Sequence, residues 1–340
     1  MYALARSLLF ALDAERAHGL TLAGLRVGHR LGLLRIAAAA QPAQPLELMG
    51  LTFANRIGLA AGFDKNACCI DAMGALGFGF VEVGTLTPRG QAGNPRPRVF
   101  RLPKARAVIN GMGFPNEGVA AAVVRLRRRL YTGVCGVNIG KNAATALEQA
   151  TGDYVAALQA VYEYADYVTV NISSPNTQGL RLLQQGEQLR PLLQALLEVR
   201  AQLAQRVGWK VPLVVKLSPD LAPDDLAATA QVIRELSLDG VIATNTTLDR
   251  TGVAGLPHAG RPGGLSGAPL HSRSVAVVRE LRALLGPDMP LIGVGGISSA
   301  ADAAAMLAAG ADLIQIYTGL IYRGPGLVRE LVAATGHNQP

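Results

Sequence analysis

The sequence predicts an α/β protein, a (β/α)8 TIM barrel with an N-terminal helical extension, on three observations. Half of the 340 residues are apolar and only 16% are charged, enough to bury one large core. Eight short, mostly apolar runs alternate with helix-like stretches, the pattern of a parallel sheet covered on both faces. The carboxyl end of each run turns polar or glycine-rich, and that is the rim on which a barrel builds its active site.

Taken in order, Leu4, Leu8, Leu9 and Leu12, then Leu20, Leu22, Leu25 and Val27, then Leu31, Leu33, Leu34 and Ile36 recur at roughly helical spacing. They predict two short amphipathic helices. Gln41-Pro42-Ala43-Gln44-Pro45 stops any helix, and runs 46–48 and 51–53, joined by Met49-Gly50, resemble a small hairpin. Strands are expected at 57–60, 80–83, 134–139, 167–172, 213–217, 241–244, 291–294 and 313–317. Helices are expected at 145–164, 189–205, 224–237, 274–285 and 300–309. An open doubly wound sheet is the runner-up, but it calls for GxGxxG after the first strand. Here Gly74, Gly77 and Gly79 are misplaced, and Gly293, Gly295 and Gly296 sit at the seventh strand.

Several function classes are excluded early. Arg6, Asp13, Glu15, Arg16, Arg26, Arg30 and Arg35 break the most apolar N-terminal stretch, so no spanning helix is expected there. The run 7–12 meets Asp13 too soon for a secretory signal. Cys68, Cys69 and Cys135 form no CxxC pair, so reduced thiols and no metal are expected. The formal net charge is +8, and ten Lys or Arg against Glu117 alone concentrate +9 between Leu86 and Leu130. Such a block suits an anionic membrane, an anionic ligand, nucleic acid, or simply a solvated face.

The strand ends read Gly62-Phe63-Asp64-Lys65, Gly84-Thr85, Asn138-Ile139-Gly140-Lys141, Asn171-Ile172-Ser173-Ser174, Lys216, Thr244-Asn245-Thr246, Gly295-Gly296 and Tyr317-Thr318. The last two expose backbone N–H groups where barrels commonly bind phosphate, which implies a phosphorylated cofactor or substrate. Asn110, Asn138, Asn171, Asn176 and Asn245 can each donate and accept, which suits a flat heterocycle with alternating N–H and C=O edges. Lys65 and Lys216 add positive charge. No histidine lies at a strand end, and Gly263-Gly264-Leu265-Ser266-Gly267 does not match GxSxG, so a hydrolase is disfavoured. A Lys216 Schiff base, as in a barrel lyase or aldolase, stays open on the residues alone.

Six fragments in order carry a resemblance: Ala61-Gly62-Phe63-Asp64-Lys65, Asn138-Ile139-Gly140-Lys141-Asn142, Asn171-Ile172-Ser173-Ser174-Pro175-Asn176-Thr177, Thr244-Asn245-Thr246-Thr247, Gly263-Gly264-Leu265-Ser266-Gly267 and Gly293-Val294-Gly295-Gly296-Ile297. Across essentially the whole chain the sequence resembles the dihydroorotate dehydrogenases. It is closest to their membrane-associated, quinone-dependent class 2, with an N-terminal helical extension and serine, Ser174, where the soluble class has cysteine.

The resemblance implies FMN-dependent oxidation of (S)-dihydroorotate to orotate in pyrimidine synthesis, with quinone as acceptor and neither metal nor nucleic acid as partner. It assigns FMN to Ala61, Gly62, Phe63, Asp64, Lys65, Thr85, Asn138, Asn171, Lys216 and Thr244, with Gly267, Gly296, Tyr317 and Thr318 on the phosphate side. Substrate falls to Lys65, Asn110, Gly111, Met112, Gly113, Phe114, Asn171, Asn176, Asn245 and Thr246, and the catalytic base to Ser174. The loop 173–180 is the expected lid. Gly111 departs from the family's Asn-Arg-x-Gly-Phe pattern, which removes any contact from that arginine. Residues 1–45 become a membrane-docking and quinone-entry segment, with His18 and Arg101 at the tunnel's inner end, and residues 46–340 the FMN-binding barrel. The expected location is peripheral, on the cytoplasmic face of the cell membrane.

Overall fold

The computed structural model describes residues 2–34, 45–184 and 186–336; Arg35, Ile36 and linker residues 41–44 lie outside them. Helices α1 (Tyr2–Ala11) and α2 (Ala14–Arg30) open the chain. Asp13 starts α2 by accepting the N–H groups of Glu15 and Arg16 at 3.0 Å, so two of the donors that a helix start leaves unpaired are satisfied. Strands β1 (Leu46–Leu48) and β2 (Leu51–Phe53) then form the expected hairpin. Met49 (φ 57°) and Gly50 (φ 74°) are both left-handed, the turn geometry that matches strand twist in a two-residue loop.

Eight parallel strands close into a barrel: β3 (Ile57–Leu59), β4 (Phe80–Leu86), β7 (Val134–Ile139), β8 (Tyr167–Asn171), β9 (Leu213–Leu217), β10 (Gly240–Ala243), β12 (Leu291–Val294) and β13 (Leu313–Ile316). Every residue of these strands is buried, which is why the sequence shows continuous apolar runs rather than alternation. Three match their expected bounds, and β4 runs three residues further than its apolar core suggests. The helix expected at 145–164 is α-helical over Ala150–Val161, with a 3-10 turn on either side. At the amino end the hairpin plugs the barrel: Phe53 packs edge-on against Phe80 at 5.2 Å, in one cluster with Val134, Tyr167, Val214, Ile242, Ile292 and Leu313.

A second sheet was not foreseen. Strands β5 (Val99–Leu102), β6 (Ala107–Asn110) and β11 (Gly264–Gly267) pair antiparallel, bringing together segments more than 150 residues apart. Each has four residues, one contains two glycines and another an arginine, so none carries a periodic signal. The sheet brings Asn110 to Gly264 and lays Asn110, Ser266 and Gly267 beside the carboxyl rim.

The N-terminal helices are fastened to this frame by polar contacts. The Tyr2 hydroxyl donates to Ile321 O at 2.6 Å, Arg6 to Tyr322 O at 2.9 Å, and Arg101 to the carbonyls of Leu9 (3.0 Å) and Leu12. Buried Arg98 makes a two-point ion pair with Glu15 of α2 at 2.7 and 3.1 Å, and Arg96 joins it. Part of the basic block is therefore internal glue; Arg89, Lys104, Arg106, Arg127 and Arg128 remain exposed. No helix among the described residues is long and apolar enough to cross a membrane.

Candidate active site

The polar strand ends meet in one cleft of about 1040 Å³, counting its open mouth. Its floor is a ladder of side-chain amides. Thr85 Oγ1 donates to Asn138 Oδ1 at 2.5 Å, and Asn171 Nδ2 donates to Thr85 Oγ1 (2.9 Å) and Asn138 Oδ1 (3.1 Å). Asn245 Nδ2 in turn donates to Asn171 Oδ1 at 3.2 Å and Ser173 Oγ at 2.9 Å. Neighbouring parallel strands set these spacings: Asn138 lies opposite Gly84 and Thr169, and Asn171 opposite Lys216.

One wall is the loop after β8. Ser174 is buried, and its Oγ accepts the Asn176 N–H at 3.2 Å. The loop is held down from several sides: Asn176 Nδ2 donates to Asn110 Oδ1 (3.2 Å), Asn94 Nδ2 to Asn176 O (3.1 Å) and Arg181 Nε to Ser173 O (3.2 Å). Thr177 in this loop keeps a buried hydroxyl with no partner among the described residues.

Two lysines bring charge into the cleft. Burial pushes Lys65 down to about 8, partly offset by Glu15 and Asp64. Burial also lowers Lys216, with the Glu82 carboxylate opposing.

At the far wall, glycines let three backbone segments crowd together. A Cβ on Gly296 (φ 68°) would lie 2.7 Å from His271 N and 2.8 Å from Gly267 O; one on Gly319 would lie 2.2 Å from Ile297 O. Only bare backbone fits, and this leaves N–H groups of Gly295, Gly296 and the Thr318–Arg323 helix start at the cleft.

A second, more apolar cavity of about 1200 Å³, again counting its open mouth, lies between α1, α2 and the barrel, lined among others by Phe10, His18, Leu25, Phe63, Arg101 and Leu320. Lys65, Asn110, Met112, Ser266 and Tyr317 line both cavities, so a single layer of side chains separates them. His18 stands edge-on to Phe63 at 5.2 Å, and Phe63 to Tyr317 at 5.6 Å. Burial and the Lys65 ammonium hold His18 down at about 3. Arg101 stacks 4.7 Å over Phe10.

The family model for dihydroorotate dehydrogenase matches residues 45–335. The chain belongs to the dihydroorotate dehydrogenase family. It is 58% identical over 335 residues to a protein of Stenotrophomonas maltophilia (strain R551-3) named dihydroorotate dehydrogenase (quinone), covering 98% of this chain and 95% of that one. A Bordetella avium (strain 197N) protein of the same name is 56% identical over 334 residues, covering 97% and 96%. Among solved structures, the Eimeria tenella DHODH in complex with ferulenol superposes with a TM-score of 0.85 at 36% identity, covering 94% of this chain and 90% of that one. Its ligand-free form gives 0.84 at 37% identity, covering 95% and 94%.

Of the residues that the family resemblance assigns to FMN, substrate and catalysis, all but four line the cleft. Asn138 sits one layer below, behind Thr85 and Asn171. Phe63 faces the second cavity instead. Asp64 is fully buried and accepts the N–H groups of Cys68 (2.9 Å) and Cys69 (2.6 Å), shaping the loop after β3. Gly111 turns its backbone into the β5–β6 frame, where its N–H donates to Arg98 O at 2.7 Å. His18 and Arg101 both line the second cavity. Cys68, Cys69 and Cys135 are free thiols.

Sequence reasoning missed Ser266, Leu270, Ile297 and Gln315, which also line the cleft. Ser266 and Leu270 belong to or follow the unforeseen sheet. Gln315 had a signal, as an amide inside the apolar run Leu313-Ile314-Gln315-Ile316, and so did Glu82 between Val81 and Val83.

Proposed function

We propose that this chain oxidises (S)-dihydroorotate to orotate in de novo pyrimidine synthesis, holding FMN in the barrel cleft and passing electrons to a quinone in the second cavity. The observation that carries this is the paired arrangement of a polar cleft and an apolar cavity that share one wall, in a chain of this family.

The cleft's chemistry fits an isoalloxazine with a phosphorylated tail. Buried Gln315 Oε1 has no partner among the described residues and lines the cleft, an acceptor left for a ring N–H. Lys216 adds a donor for ring oxygens and nitrogens, Thr85 and Asn171, whose own hydrogens are held within the ladder, wall the ring's berth, and the glycine-lined N–H groups near Gly267, Gly296 and Thr318 suit the phosphate. Tyr317 walls that side, its hydroxyl donating to Gly62 O at 3.2 Å. FMN, when bound, supplies a hydride acceptor for C6 of the dihydropyrimidine and a route for two electrons onward.

The remaining work belongs to the protein. Ser174 Oγ takes the proton from C5; a hydroxyl is a weak base, so it needs a dry site and a group to pass the proton to. The buried, unpartnered Thr177 hydroxyl in the same loop is available for that second role. Asn110, Asn176, Asn245 and Thr246 hold the ring amides of the substrate, and Lys65 pairs with its carboxylate. Lys216 stabilises negative charge gathering on the cofactor's ring. A Lys216 Schiff base is not favoured, because the family is one of dehydrogenases.

We read α1 and α2 as a membrane-docking element. Their outer faces expose Leu4 (76%), Leu8 (74%), Leu20 (57%) and Val27 (55%), while their inner faces roof the apolar cavity. A helix pair with leucines outward and Arg16, Arg26 and Arg30 exposed beside them suits the interface of an anionic bilayer, on the cytoplasmic face of the cell membrane. The test is dihydroorotate-dependent reduction of a lipophilic quinone in vesicles. Turnover that requires both reactants supports the reading; a protein that consumes dihydroorotate with no quinone dependence refutes the electron route.

A further inference from the structure

Beneath the cleft lies a charge that the proposed chemistry does not use. Glu82, fully buried inside the barrel on β4, receives three donors: Asn138 Nδ2 at 2.8 Å on Oε1, and Tyr167 Oη at 2.9 Å and Gln315 Nε2 at 2.8 Å on Oε2. Lys216, on β9, provides a counter-charge. Three donors converging on one carboxyl group are what an ionised carboxylate satisfies, since it can only accept.

The two ends of an asparagine amide have the same shape, so packing does not decide which end points where. A carboxylate does. With Glu82 below it, Asn138 must turn its NH₂ downward and its Oδ1 up toward Thr85 and Asn171. Asn171 must then spend its NH₂ on that pair, which leaves its Oδ1 for Asn245 and Ser173. We propose that Glu82 is a positioning residue, whose buried carboxylate fixes the direction of the whole amide ladder and so the donor and acceptor pattern offered to the bound heterocycles. This rests on the dehydrogenase reading, because it is orotate and FMN that read the pattern.

An exchange of roles tests it. In Glu82→Gln, two donors (Tyr167 and Gln315) hold the new amide oxygen, so its NH₂ faces Asn138 and forces that side chain to invert. Orotate affinity for the FMN-loaded protein, measured by calorimetry, falls about tenfold or more, the worth of one mismatched buried hydrogen bond. In the double variant Glu82→Gln with Asn138→Asp, the introduced NH₂ on β4 donates to a carboxylate whose other oxygen again accepts from Thr85 and Asn171. Affinity then returns to within about threefold of wild type. The inference is overturned by a single variant that binds orotate as wild type does, or by a double variant that binds no better than the single one or does not fold. Should the single variant not fold, recovery of folding and affinity in the double variant supports the inference by itself. A wild-type protein that takes up neither FMN nor orotate refutes the dehydrogenase reading instead, before any variant is compared.

Discussion

At the scale of single residues, the proposed chemistry turns on Ser174 and Lys65. Ser174→Ala removes the proposed C5 base but no residue proposed for the phosphate cradle. We expect it to retain FMN and orotate while reduction of the flavin by dihydroorotate slows about 100-fold or more, read by anaerobic stopped flow. Unchanged reduction would take the proton elsewhere. Lys65, held down at about 8 by burial, is charged below that pH and neutral above it. In the proposed pairing the anionic carboxylate binds the charged form, so orotate affinity should be flat below about 8 and fall as pH rises beyond it, up to about tenfold per unit. Calorimetry on either side of that value checks this; affinity that rises with pH would remove Lys65 from the carboxylate. Much of this chemistry was legible, because amides and lysines at the ends of apolar runs stand out from the runs themselves. Glu82 and Gln315 were harder to see, since a polar residue inside a strand acquires meaning only when the barrel closes and turns it toward its partners.

The elements divide along the same line. Strands β7, β9 and β12 were legible to the residue because a strand buried on both faces must be apolar throughout. The β5, β6 and β11 sheet was illegible because four-residue strands are stabilised by partners far away in sequence, not by their own pattern. That sheet matters, for it seats Asn110 and Arg101 and so joins the cleft to the N-terminal helices. Deleting residues 1–40 should leave FMN reduction by dihydroorotate intact and impair quinone turnover by about tenfold or more. Quinone kinetics that survive the deletion would place the acceptor elsewhere. His18 is the acid-sensitive point of α2. Its folded value near 3 lies below the ordinary histidine value of 6.5, so the unfolded chain binds more protons between the two, and stability falls as pH drops through that window. His18→Asn should flatten the fall in melting temperature across that window; an identical slope would mean that His18 is not held neutral.

For the whole molecule, the barrel separates stability from chemistry by end. The amino end is closed by the β1–β2 hairpin, with Phe53 wedged against Phe80, and the carboxyl end holds the two cavities. Phe53→Ala should therefore cost about 3–5 kcal/mol in denaturant unfolding and leave orotate affinity within about twofold. The same partition explains why fold and site were readable together, for strand ends name the rim once the strands are found. It also explains why the roof over the second cavity was readable only as amphipathic helices: what α1 and α2 cover depends on Glu15–Arg98 and Tyr2–Ile321, contacts between segments far apart in the chain. The most direct measurement is the visible spectrum of the purified protein, taken anaerobically before and after dihydroorotate is added. We expect a yellow protein, carrying one FMN, that bleaches on addition of dihydroorotate and recovers its colour when quinone follows. A colourless protein with no affinity for FMN, or a yellow one that dihydroorotate leaves unchanged, would contradict the assignment.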